Sequence, residues 1–134
     1  SLREEAKVLV GYMKTLRALD RNENIITLAK QINRIDPNNM DALQVLAQGY
    51  YRMAEDSYQA EMKAYENNRT NRQYRQLLAA LEVINSNFRT SRDYFEKLYE
   101  LDPNPRYATF LGNIYTRFDN KQRADYYYRK AKGE

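Results

Sequence analysis

The 134-residue chain holds neither cysteine nor histidine, and that alone removes most side-chain chemistry. Thiolate and imidazole-assisted nucleophiles, disulfides and sulfur or imidazole metal sites are excluded. The absence of cysteine fits any redox compartment. Carboxylates remain, but the close pairs Asp20/Glu23 and Glu55/Asp56 fall where helices are expected to join, and helix capping accounts for them. Gly11, Gly49, Gly112 and Gly133 stand alone, so there is no glycine-rich phosphate loop. No catalytic constellation, cofactor or metal is expected. What the residues can do is recognise. Arginine forks and amide side chains grip carboxylates and extended backbone, and thirteen tyrosines offer rings to pack with hydroxyls left at the rim.

The net charge of +4 is unevenly placed. Residues 1–67 carry nine Lys/Arg and ten Asp/Glu; residues 68–134 carry thirteen and eight. The basic half suits an acidic partner, and an arginine-rich solvated surface accounts for it equally well. Arg69, Arg72, Arg75, Arg89 and Arg92, with Tyr74 and Tyr94, form a basic-aromatic group of the kind that touches nucleic acid. No RNA-binding motif accompanies it, so nucleic acid is not the expected partner.

Positioning falls to helices. Hydrophobic residues make up 43% of the chain while the mean hydropathy is −0.91, so long polar side chains must flank narrow apolar stripes. Three prolines and four glycines are too few for a turn-rich β fold. Three- and four-residue apolar steps predict helices over 2–19, 23–35 behind an Asn22 cap, 40–54, 72–86, 105–118 and 121–132. Asp36-Pro37 and Asp102-Pro103 end helices, because a residue before proline avoids the helical region. Ala54-Glu55-Asp56-Ser57 has no Gly or Pro and is the least marked break. Read as a turn, it starts a further helix with Tyr58, Met62 and Tyr65; the alternative is one helix from 40 to 66. Asn85-Ser86-Asn87 reads as another break, before a helix with Tyr94, Phe95, Leu98 and Leu101 and a capping residue at Thr90. About eight helices result.

Set against one another, the helix pairs repeat. Met13, Ala47, Ala79 and Gly112 take equivalent positions, spaced by 34, 32 and 33 residues, and the two Asp-Pro pairs are 66 apart. The last unit supplies Leu111, Gly112, Tyr115, Ala124, Tyr128 and Ala131, and the third Leu78, Ala79, Phe95, Leu98 and Pro103. The second supplies Leu43, Leu46, Ala47 and Tyr50, and the first Leu9, Met13, Leu16, Ala29, Ile32 and Pro37. Two helices per period, small residues where they touch and a closing proline resemble the tetratricopeptide repeat. The second unit departs from that pattern, lacking the closing proline and a clear alanine in its second helix. The resemblance implies an all-α, right-handed superhelical array of antiparallel helix pairs. It would be a single domain over 1–134, with units near 6–39, 40–71, 72–104 and 105–134, each touching only its neighbours. An ordinary helical bundle with alanines in its core is the alternative.

In that family the first helix of each pair lines a concave binding face. The resemblance therefore implies a groove built by Lys7, Val10, Lys14 and Arg17, then by Asp41, Gln44, Gln48, Tyr51 and Arg52. Gln73, Gln76, Ala80 and Val83 would follow, and then Arg106, Thr109, Asn113, Thr116 and Arg117. The implied function is a non-catalytic scaffold that binds a protein segment, acidic because six cations face Asp41 alone. The family's clamp for a C-terminal carboxylate is missing, since Val10, Lys14, Gln44 and Gln48 stand at its positions. Tyr126 and Tyr127, beside Tyr128 on the last helix, point to the alternative of a homo-oligomer joined through terminal helices; the plain reading is that Tyr126 and Tyr127 lie flat at the rim. No apolar run approaches the roughly 20 residues that span a bilayer. The chain starts at Ser1 rather than Met, which leads us to expect residues removed upstream, a signal peptide among them. Cytoplasmic and exported locations both stay open.

Overall fold

Polar side chains start the helices, and prolines and polar joints stop them. The computed structural model describes residues 1–19 and 24–134, and among these the only regular structure is α-helix. There are six: α1 (Leu2–Ala18), α2 (Ile25–Ile35), α3 (Met40–Asn67), α4 (Asn71–Leu101), α5 (Pro105–Arg117) and α6 (Lys121–Ala131). Ser1 and Glu4 form a capping box on α1. Asn39, Thr70, Asn104 and Asn120 each accept a backbone N–H in the first turn of α3, α4, α5 and α6. Each such bond satisfies a donor that a helix start leaves open. Asn24 precedes α2 with a left-handed φ of 64°; the break expected at 20–23, with its Asn22 cap, lies outside the described residues. Asp36 and Asp102 follow the last residues of α2 and α4 in extended backbone, as the prolines behind them require.

Two expected breaks are absent. Ala54–Ser57 lies inside α3 and Asn85–Asn87 inside α4, with Thr90 in mid-helix, so the described residues form six helices rather than about eight. The reason is that the stripe facing the partner helix never lapses. In α3 it runs through Ala47, Tyr51, Ala54, Tyr58, Glu61 and Tyr65; in α4 through Leu77, Leu81, Ile84, Phe88, Ser91, Phe95 and Leu98. Steps of four and three keep one helical face turned to its neighbour throughout. Three polar residues in a row do not stop a helix when they fall between such positions.

α3 and α4 consequently form one long antiparallel hairpin. The Ser91 hydroxyl donates to the Ala47 carbonyl at 2.7 Å, deep in the core. Tyr51 meets Phe88 edge-on at 5.6 Å, and Tyr65 lies 5.8 Å from Tyr74 near the closed end. Residues 40–71 and 72–104 therefore do not close as separate helix pairs. The first half of α3 pairs with the second half of α4, and 55–83 is an arm inserted between them. Leu43, Leu46, Ala47 and Tyr50 belong with Ser91, Phe95, Leu98 and Pro103. Ala79, matched to Gly112 by spacing, is exposed, and Leu78 is 46% exposed. The small residue missing from the second helix of this pair is Ser91.

Packing joins helices that are consecutive in the chain. α5 runs alongside α3 in the same direction: Phe110 meets Tyr51 at 4.9 Å and Arg117 lies over Tyr58 at 4.2 Å. α1 approaches α3 on the other side, with Lys14 ion-paired to Asp41 at 3.5 Å. α1, α3 and α5 thus share one face; α2, the second half of α4 and α6 form the layer behind. Ala42 and Leu46 turn from α3 into a core with Met13, Leu28, Ala29 and Ile32. Leu43 and Ala47 turn into a larger core with Phe88, Phe95, Leu98, Leu111 and Ile114. No described helix is long and apolar enough to cross a membrane.

Candidate functional site

The face made by α1, α3 and α5 carries two adjoining hollows. One, of about 330 Å³, is lined by Arg17, Ile26, Val45, Gln48, Arg52 and Met53, among others. The second, of about 300 Å³, is lined by Gln48, Tyr51, Arg52, Glu55, Asp56, Arg106 and Phe110. Gln48, Arg52 and Asp56 belong to both, so α3 forms the ridge between them. Phe110 stacks on Phe95 of α4 at 4.6 Å and meets Tyr51 of α3 edge-on at 4.9 Å, which fixes α5 and hence Arg106 relative to both helices. Gly49 lets Ile26 of α2 lie against α3 at the wall of the first hollow.

Beside the hollows a hydrogen-bonded chain crosses from α3 to α6. The Tyr128 hydroxyl donates to Asn113 Oδ1 at 2.7 Å, and the Asn113 amide reaches the Tyr51 hydroxyl at 3.5 Å. Tyr128 belongs to the layer behind and reaches this face only because residue 112 has no side chain. A Cβ at Gly112 would lie 2.5 Å from its ring. Burial raises the Tyr51 hydroxyl above the ordinary phenol range, with the Asn113 hydrogen bond opposing. Tyr51 therefore stays a neutral donor and acceptor at neutral pH.

Arg117 ends this face. Its guanidinium is held between the rings of Tyr58, at 4.2 Å, and Phe88, at 4.5 Å, with Nε buried and without a hydrogen-bond partner among the described residues. Such stacking fixes the plane of the group. Glu55, one turn before Tyr58 on α3, accepts from Gln59 at 3.1 Å.

The remaining expected groove residues are distributed unevenly. Gln44 donates to the Tyr107 hydroxyl at 2.8 Å, and Lys14 is taken up by Asp41. Lys7 lines a separate hollow of about 700 Å³ between the start of α1 and the end of α2, with Leu2, Arg3, Val10, Ile35 and Asp36. Gln73 and Gln76 are not brought to this face: they occupy the first turns of α4, in the arm. They stand level with Tyr65, some 14 residues beyond Tyr51 and so about 20 Å along the helix. Tyr127 is buried, stacked on Tyr115 at 5.8 Å and edge-on to Tyr99 at 5.7 Å, so its ring is not on the surface; Tyr126 is 45% exposed. Tyr115 donates to Glu96, which also pairs with Arg123 at 3.7 Å.

Four residues were missed by sequence reading. Glu55 and Asp56, taken as turn residues, are wall residues because α3 continues; they make the face less basic than six cations against Asp41 would be. Tyr58 and Phe88 form the clamp on Arg117. The seven-residue recurrence of Tyr51, Tyr58 and Tyr65 was the available signal. Among the described residues no group of three or more Asp, Glu, His or Cys could hold a metal ion.

No family model matches the chain. No curated protein matches it. Among solved structures, a mutant of MamA aligns over 96% of this chain and 76% of its own, with 18% identity and a TM-score of 0.39.

Proposed function

We propose that the chain is a non-catalytic protein-interaction module, a single right-handed array of tetratricopeptide-like helix pairs with one pair lengthened into an arm. It binds an extended protein segment across α1, α3 and α5. The supporting observation is the pair of hollows that share Gln48, Arg52 and Asp56 and bring Arg17, Tyr51 and Arg106 to the same strip. Amides that hydrogen-bond backbone, arginines that fork carboxylates and an aromatic floor suit an extended ligand. The segment is acidic where it passes Arg17, Arg106 and Arg117, and carries a cation opposite Glu55 and Asp56.

The test is a peptide-display selection on wild type and on a variant carrying Arg52→Glu and Arg106→Glu. Enrichment of acidic sequences by wild type, lost in the variant while the far-ultraviolet helix signal is kept, supports the reading. Equal enrichment on both proteins removes it.

A further inference from the structure

Inside the array, the first helix of a pair presses two positions against the pair before it. In α3 these are Ala42 and Leu46, fully buried against α2. The same positions in α5, 65 residues on, are Tyr107 and Leu111, also buried. In α1, 34 residues earlier, they are Val8 and Tyr12, which are 71% and 58% exposed. Leu19 extends this apolar strip at 64% exposure, and an added Cβ at Gly11 beside it would meet nothing within 4 Å. Among the described residues α1 thus offers a surface that its counterparts bury.

Among the described residues, α5 and α6 offer a complementary surface. The second helices of the first two pairs bury Ile32 and Leu98 completely. The matching residue in α6 is Ala131, which lines a hollow of about 620 Å³ with Thr109, Asp125, Tyr128, Arg129 and Lys132. This is the slot in which the first helix of a following pair would lie.

Charge sets the direction. Within the chain, each second helix ends beside the start of the next first helix, across the short joints 36–39 and 102–104. Docked in the same manner, the first turn of α1 meets the last turn of α6. The first carries Glu4 and Glu5, and the second carries Arg129 and Lys130 with Lys132 just beyond. Glu4 is taken up in the capping box with Ser1, which leaves Glu5 without a role in the cap.

We infer that copies of this chain associate head to tail, α1 of one seated on the α5/α6 end of the next. Such an interface is heterologous, so it propagates into open oligomers rather than closing as a dimer. This inference uses the ends of the array and is independent of the binding face described above.

The test measures solution mass by light scattering from micromolar to millimolar concentration. Wild type should rise steadily above its 16.0-kDa monomer; a constant monomer mass overturns the inference. Val8→Glu with Tyr12→Glu should hold the chain at monomer mass. Two charge variants then test direction. Glu5→Lys alone, and Arg129→Glu with Lys132→Glu alone, should each weaken association by about tenfold, roughly 1.4 kcal/mol. Mixed in equal amounts they should regain the wild-type mass profile, because each reversed end then meets an unlike charge. An unfolded variant could not be rescued in this way. Undiminished association of the Arg129→Glu/Lys132→Glu variant would mean that α1 pairs with α1, and would overturn the head-to-tail arrangement.

Discussion

α3 and α4 are each buried at one end and bare at the other. From Met40 to Ala54, six residues of α3 are buried; from Glu55 to Asn67 none is. In α4, Leu77 is the sole buried residue before Ile84, after which Phe88, Ser91, Phe95 and Leu98 follow. The four-three spacing is the same in both regions. What differs is the third layer. α2 and α5 cover the root, and beyond the Arg117 that lies over Tyr58 no described helix covers the arm. A two-helix hairpin satisfies its backbone and aligns its stripe by itself, but full burial needs a neighbour on the flank.

That contrast predicts unequal responses to substitution. Phe95→Ala, in the root against Phe110, should cost about 3–5 kcal/mol in denaturant unfolding; Leu78→Ala in the arm should stay within roughly 1 kcal/mol. Comparable losses at both sites would mean that the arm has a cover of its own. Gly112→Ala should cost about 1–3 kcal/mol, since its methyl displaces the Tyr128 ring and breaks the bond to Asn113. Gly49→Ala meets only the end of a flexible Ile26 side chain, so the helix preference for alanine offsets the crowding, and calorimetry should show little change.

Polar burial sharpens the comparison further. Glu61 takes a stripe position in the arm with Oε2 buried and unpartnered among the described residues. Glu61→Met should therefore stabilise the protein by about 1 kcal/mol. Hydrogen exchange should show the gain between Glu55 and Glu82 rather than at the root. Destabilisation instead would reveal a partner for that carboxylate.

The smallest effect is expected in alkali. Burial raises Tyr51, Tyr94, Tyr115 and Tyr127 above the usual phenol value of 10.0, with the Glu96 hydrogen bond adding to the rise at Tyr115. The folded chain then keeps protons that the unfolded chain gives up. This part of the stability is complete below pH 10 and is lost as pH climbs through the folded values. Melting temperature should be level through neutral pH and fall above about pH 10; Tyr115→Phe should lessen the fall.

The helices, their caps and the two Asp-Pro stops were legible because each is a local signal. The last helix pair, α5 with α6, was legible because its small residues and tyrosines stand at close spacing. The inserted arm was not. Gly112 and Ala124 are 12 residues apart, while Ala47 and Ser91 are 44 apart. The difference of 32 is nearly one repeat, so the arm imitated a unit of its own and Ala79 took the place of a contact residue. Of the face proposed to bind, Gln48, Tyr51, Arg52 and Arg106 were named from the repeat spacing, whereas Tyr58, Phe88 and Glu55 depended on a helix that does not stop. No spacing rule announces that Tyr128 passes beneath Gly112 to the other side.

The arm leaves and re-enters the helix layers at one place, between Ala54 and Ile84, so beyond the Tyr58 that Arg117 covers its length is set independently of the packed layers. Excising seven residues from each helix of the arm, two turns apiece, would retract the tip by about 10 Å and leave every remaining stripe residue in phase. Adding seven to each would advance it as far. The chain contains, in effect, a telescoping spacer whose reach can be reset without touching the parts that hold it.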